Sequence, residues 1–142
     1  MSNINANMTG NIAILSSPDR RYLEVLEDNK GLAFREQKIN DRARFTVKQG
    51  SNNKIQLVSL ATNKYVNMYY INDVKCEGDG GGLSMGIVLL TNGLVNLTIT
   101  GYQGQDGRTA FLSNEAGNVS YNGSLAVRDL ENENCRFIIE NL

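Results

Sequence analysis

The side chains best suited to meet a ligand gather in three short stretches. Tyr69-Tyr70-Ile71-Asn72-Asp73 and Tyr102-Gln103-Gly104-Gln105-Asp106 each set an aromatic face beside amides and a carboxylate, and Asn118 with Tyr121-Asn122 supplies a smaller set. Sugars need those parts, because an aromatic face can carry the sugar ring while amides and carboxylates pair with its hydroxyls, usually on loops. Tyrosine and asparagine are also common in any β-turn region, so the pattern marks candidates rather than a site.

Other chemistry is narrowed by what the chain lacks. There is no histidine, which removes the usual general base and the commonest metal ligand, and with them Ser-His and Cys-His nucleophile pairs and His-based zinc sites. A carboxylate pair for glycoside hydrolysis is formally available, but the acids cluster in turn-like runs such as Glu27-Asp28 and Glu131 to Glu133, where solvated charge explains them. Gly78-Asp79-Gly80-Gly81-Gly82 resembles a phosphate cradle only superficially, since no Gly-Lys-Ser/Thr follows and Leu83 stands where a dinucleotide loop needs its last glycine. It reads as a flexible insertion. No enzyme, cofactor or metal site is expected.

The sequence must then position its binding residues by a fold. Its 142 residues suit one domain, with 41% hydrophobic and 20% charged residues as in ordinary globular proteins. A net charge of −1 gives no basic field for nucleic acid or an anionic membrane. The longest apolar run, Ile87-Val88-Leu89-Leu90, is too short to span a bilayer, and MSNINANMTG lacks a signal-peptide pattern. A cytoplasmic location, or release without a cleaved signal, is the expectation. Cys76 and Cys135 read as buried thiols, and the Asn-x-Ser/Thr triplets at Asn7, Asn96, Asn118 and Asn122 read as chance.

Short strand-like runs broken by Gly, Asn and Asp fill the chain, and no helical apolar spacing is sustained. Self-alignment sets Ile12 to Ser16 over Ile55 to Ser59 and Thr109 to Ser113. Second strands open at Tyr22, Tyr65 and Val119, and third strands are Leu32-Ala33-Phe34, Val74-Lys75-Cys76 and Leu125-Ala126-Val127. Fourth strands are Ala43 to Val47, Val95 to Ile99 and Cys135 to Ile139. Ser16, Ser59 and Ser113 lie 43 and 54 residues apart, so the second unit carries about eleven extra residues, placed at 78–93.

Three such units pool apolar faces that none can bury alone, with Ile14, Leu57, Phe111, Leu23, Val66, Phe45, Leu97 and Phe137 in one core. The fold class is all-β: a β-trefoil of twelve strands in three pseudo-repeats, at about 11–50, 54–100 and 108–142, after a flexible segment 1–10. Asn92-Gly93 between apolar runs predicts a hairpin in the second unit. Ile87, Val88, Leu89 and Leu90 then either cap the core or form a patch for a partner or a homodimer.

SSPDRRYL at Ser16 to Leu23, Asn29-Lys30-Gly31 and DRARFTV at Asp41 to Val47 resemble the fascin-like trefoil repeat, with its Gly-Arg-Tyr-Leu-like turn and Arg-Phe strand. Asn63-Lys64-Tyr65-Val66 and Asn134 to Ile139 look like further copies, so the resemblance covers about 11–142. Fascins bundle actin with several trefoils in tandem, whereas this sequence shows one. If the resemblance carries function, Arg20, Arg21, Lys38 and Arg42 are the expected contacts with acidic actin; a structural role at the barrel rim is the competing reading. Ricin-type lectins carry Gln-x-Trp in each repeat, and this chain has no tryptophan. The leading expectation is a non-catalytic module for a glycan or glycoprotein. The alternatives are actin binding and an assembly protein pairing through Ile87 to Leu90.

Overall fold

Apolar and polar residues in short runs, cut by turn formers, dictate short strands whose successive side chains point to opposite faces. The computed structural model describes residues 10–100, 109–115 and 125–142 and shows twelve strands in one hydrogen-bonded network. The first four are β1 (Gly10–Ser16), β2 (Tyr22–Val25), β3 (Leu32–Glu36) and β4 (Phe45–Gln49). Then come β5 (Ile55–Ser59), β6 (Tyr65–Tyr70), β7 (Asp73–Gly78) and β8 (Gly86–Leu89). The last four are β9 (Val95–Thr100), β10 (Thr109–Asn114), β11 (Leu125–Arg128) and β12 (Phe137–Asn141). The described residues hold no helix long and apolar enough to cross a membrane.

The pairing repeats three times. Ile12 pairs with Phe45, Ile55 bridges to Met85, and Val95 pairs with Phe137, so the first and fourth strands of each unit meet at equivalent points. Fourth strands run antiparallel to the next unit's first strand, as β4 to β5, β8 to β9 and, around the closure, β12 to β1. Second and third strands form the hairpins β2–β3, β6–β7 and β10–β11. Hairpins of neighbouring units are joined by Cys76 N donating to Lys30 O and Val127 N to Ile71 O, both at 2.7 Å.

This register moves two strands from where the sequence pattern put them. The fourth strand of the second unit is β8, not Val95 to Ile99, which instead opens the third unit. Thr109 to Ser113 belongs to a second strand, so Phe111 stands opposite Thr98 as Tyr22 stands opposite Leu15 and Tyr65 opposite Val58. The segment 78–93 is therefore no insertion, and Val119 lies outside the described residues. Phe111 is half-buried while Leu112 is in the core, because the one-residue change of face sends alternate side chains outward. The third strands fall as the sequence pattern indicates, and Gly10, expected in a flexible segment, pairs with Val47 at the start of β1.

Ala43 and Cys135 are not strand residues either. Each ends a 3₁₀ turn, Asp41–Ala43 or Glu133–Cys135, capped by Asn40 or Asn132, whose side chain accepts from the backbone N–H two residues on at 2.9 and 2.8 Å. The second unit uses glycines at this place. A Cβ on Gly82 would lie 2.4 Å from Val66 O and 2.7 Å from Tyr65 Cβ, and Leu83 N donates to Val66 O at 2.9 Å. Instead of a flexible insertion, the run is a close crossing that lets Met85 take the buried place of Phe45 and Phe137. Phe137 stacks on Phe34 with centroids 5.5 Å apart in a core that draws on all three units.

Candidate functional site

β7 alternates strictly, with Val74, Cys76 and Gly78 buried and Asp73, Lys75 and Glu77 turned outward. On the paired strand the register shifts between Met68 and Tyr70. Such a bulge re-aims side chains, and here both Tyr69 and Tyr70 stay exposed, at 41% and 67%. Lys75 Nζ lies 5.1 Å from the Tyr69 ring centroid, 3.6 Å from Asp73 and 3.5 Å from Glu77. Lys30, from the first unit, reaches the other oxygen of Glu77 at 3.8 Å.

Charge and burial set the state of this face. Burial works against the Lys75 ammonium, but Asp73 and Glu77 outweigh it and hold its pKa above the usual value. The Tyr69 phenol is also raised, chiefly by burial and then by the charge of Glu77, so it is a neutral donor and acceptor at ordinary pH. The result is an aromatic pair beside alternating acids and an ammonium, all on one hairpin. It offers a stacking surface with donors and acceptors, and no nucleophile activated by a base.

Tyr69, Tyr70, Asn72 and Asp73 are thus brought together, as their closeness in sequence requires. Asn72 is partly engaged, because its Oδ1 accepts from Arg128 Nη1 at 2.7 Å. Lys75 and Glu77 were missed by sequence reasoning; the alternation of Asp73 to Gly78 would have placed them beside Asp73. Tyr102, Gln103, Gln105, Asp106, Asn118, Tyr121 and Asn122 lie outside the described residues.

The four cations of the filament reading divide. Arg21 donates to Arg35 O at 2.7 Å, and Arg42 donates to Leu26 O at 2.8 Å and Asn29 Oδ1 at 3.0 Å, fastening the β2–β3 turn. Arg20 and Lys38 are exposed. Of the apolar run, Ile87 packs on the core while Val88 and Leu89 are exposed at 44% and 62%. Asn96, a formal glycosylation triplet, is 2% exposed. Among the described residues no group of three or more His, Cys, Asp or Glu side chains can hold a metal, and both cysteines are buried and unpaired.

Three repeated pairings, three hairpins and twelve strands set the backbone against known folds. A designed threefold-symmetric protein, ThreeFoil, matches with a TM-score of 0.72 at 13% identity, over 93% of this chain and 99% of that one. The chain has the β-trefoil fold. A Macrolepiota procera ricin B-like lectin, solved with lactose, matches over the whole of both chains with a TM-score of 0.73 at 10% identity. A GlcNAcα1-4Gal-releasing endo-β-galactosidase from Clostridium perfringens matches with a TM-score of 0.74 at 11% identity over 95% of this chain. This trefoil spans only 33% of that enzyme. At such identities the likeness concerns the backbone alone. No family model matches the sequence, and no curated protein does.

Proposed function

We propose that this trefoil is a non-catalytic carbohydrate-binding module whose sugar lies on the outward face of the β6–β7 hairpin. The observation that carries this reading is the exposed pair Tyr69 and Tyr70 beside the Asp73, Lys75 and Glu77 row. A pyranose ring stacks its C–H face on tyrosine, and its hydroxyls donate to the carboxylates and accept from the ammonium. The trefoil backbone it shares with a lactose-binding lectin is compatible with that use.

The test is a broad glycan array followed by titration of the best neutral glycan in low and high salt. Binding should survive salt, since a neutral ligand releases no counterions, and Tyr70→Ala should weaken it by about tenfold, the loss of one stacking surface. Tyr70 is exposed, so the variant keeps its fold. An array without signal, or a titration indifferent to Tyr70→Ala, overturns the reading.

A further inference from the structure

A cleft of about 970 Å³ opens beside the β8–β9 hairpin, with Val88, Leu89, Leu90, Leu94 and Phe111 on its apolar side. The threefold relation shows what this cleft is an opened version of. In the first unit Tyr22 takes the place of Phe111, opposite Leu15 where Phe111 has Thr98. The Tyr22 ring is 8% exposed, clustered with Ala13 and Ala43 and covered by Leu15 and Ile39, and its hydroxyl donates to Glu140 at 2.9 Å. Carried through the strand register and the two Asn-capped turns, Leu15 becomes Thr98, Ala13 becomes Asn96 and Ile39 becomes Glu131 in the third unit. Two large apolar covers are replaced by a small hydroxyl residue and a carboxylate, and Phe111 is left only half-buried where Tyr22 is buried.

The polar side of the cleft is built rather than incidental. Arg136 donates to both oxygens of Glu131, at 2.8 and 3.0 Å. Buried Asn96 donates to the same carboxylate at 3.1 Å and to Cys135 O at 3.0 Å. As a unit the ion pair is neutral, so it favours a ligand without net charge. It can still accept from a hydroxyl at the carboxylate and donate from the guanidinium edge. Apolar walls with a few convergent polar groups are the make-up of a small-molecule site, and the first unit proves that the fold itself does not require the opening.

We infer that this cleft binds a small neutral amphiphile, with its apolar body against Phe111, Leu89 and Leu90 and its hydroxyl edge on the Glu131–Arg136 pair. The site is separate from the β6–β7 face and does not depend on it. The probe is n-octyl β-D-glucoside below its micelle concentration, titrated while the methyl NMR signals of Val88, Leu89, Leu90 and Leu94 are followed, with glucose alone for comparison. Saturable shifts of those methyls are expected with the octyl compound and not with glucose. Two variants should each weaken binding by at least about tenfold, as burial of the alkyl chain is lost. One is Thr98→Leu with Glu131→Ile, which rebuilds the first unit's cover; the other is Leu89→Asp, at an exposed position that leaves folding intact should the first variant fail to fold. Absence of saturable shifts, or affinity unchanged in Leu89→Asp, overturns the inference. So does a dimer in light scattering that Leu89→Asp dissolves, which would make a second copy of the chain the occupant.

Discussion

Arg20 sits in the left-handed region at φ 58°, two residues ahead of Tyr22, and Asn63 holds the same conformation at φ 59° ahead of Tyr65. Asparagine tolerates that region, whereas a longer L-residue there costs about 1–2 kcal/mol. Arg20→Gly should therefore raise stability by up to about 1 kcal/mol, after the extra freedom glycine gives the unfolded chain is subtracted. A urea midpoint that falls instead would show that the Arg20 side chain makes a contribution its exposure does not suggest. At this scale the candidate site was half legible. Tyr69, Tyr70 and Asp73 announce themselves by type, while Lys75 and Glu77 matter only because a β-strand turns every second residue to the same side.

The glycines of 78–82 show how an element can be misread from composition. Glycine-rich runs suggest mobility, yet Gly82 lies where a Cβ would strike the Val66 carbonyl, while a Cβ on Gly81 would meet nothing within 4 Å. Gly82→Ala should cost about 1–3 kcal/mol, the usual penalty for overpacking, and Gly81→Ala should change stability little. Thermal denaturation of the pair decides it, and equal melting temperatures would contradict the close crossing. The same region explains the misplaced third unit. Thr109 to Ser113 matches the type pattern of Ile12 to Ser16, but every barrel strand shares such a pattern, and only its pairing partner fixes its place. Val95 to Thr100 does not look like a first strand by residue type, because Asn96 and Thr98 hold positions that are apolar in the first unit. The third strands were legible because Leu32, Val74 and Leu125 all keep apolar side chains facing the core.

Across the whole molecule, electrostatics are arranged by turns and closures rather than by net charge. Glu131 is held below the ordinary carboxylate range, first by Arg136 and then by Asn96. Asp28 is lowered by the backbone N–H groups of Gly31 and Lys30, and Glu27 by Arg35. A folded pKa below the unfolded one means that the unfolded chain binds more protons on acidification, so this stability is present above about pH 4.5 and lost as pH falls. At the other end, burial raises the Cys76 thiol, and burial with Glu140 raises the Tyr22 phenol. Their unfolded forms lose protons first, so stability falls again once pH passes about 8.5 and more steeply near 10. Between these limits no side chain has an ordinary pKa, because the chain has no histidine. Urea midpoints measured from pH 3 to 10 should therefore form a plateau from about 5 to about 8 with losses on both sides. Glu131→Gln should flatten part of the acid limb and leave the plateau width unchanged. A slope inside the plateau would require a titrating group that these contacts do not supply, and an acid limb untouched by Glu131→Gln would remove the Glu131–Arg136 pair from the forces that stabilise the third unit.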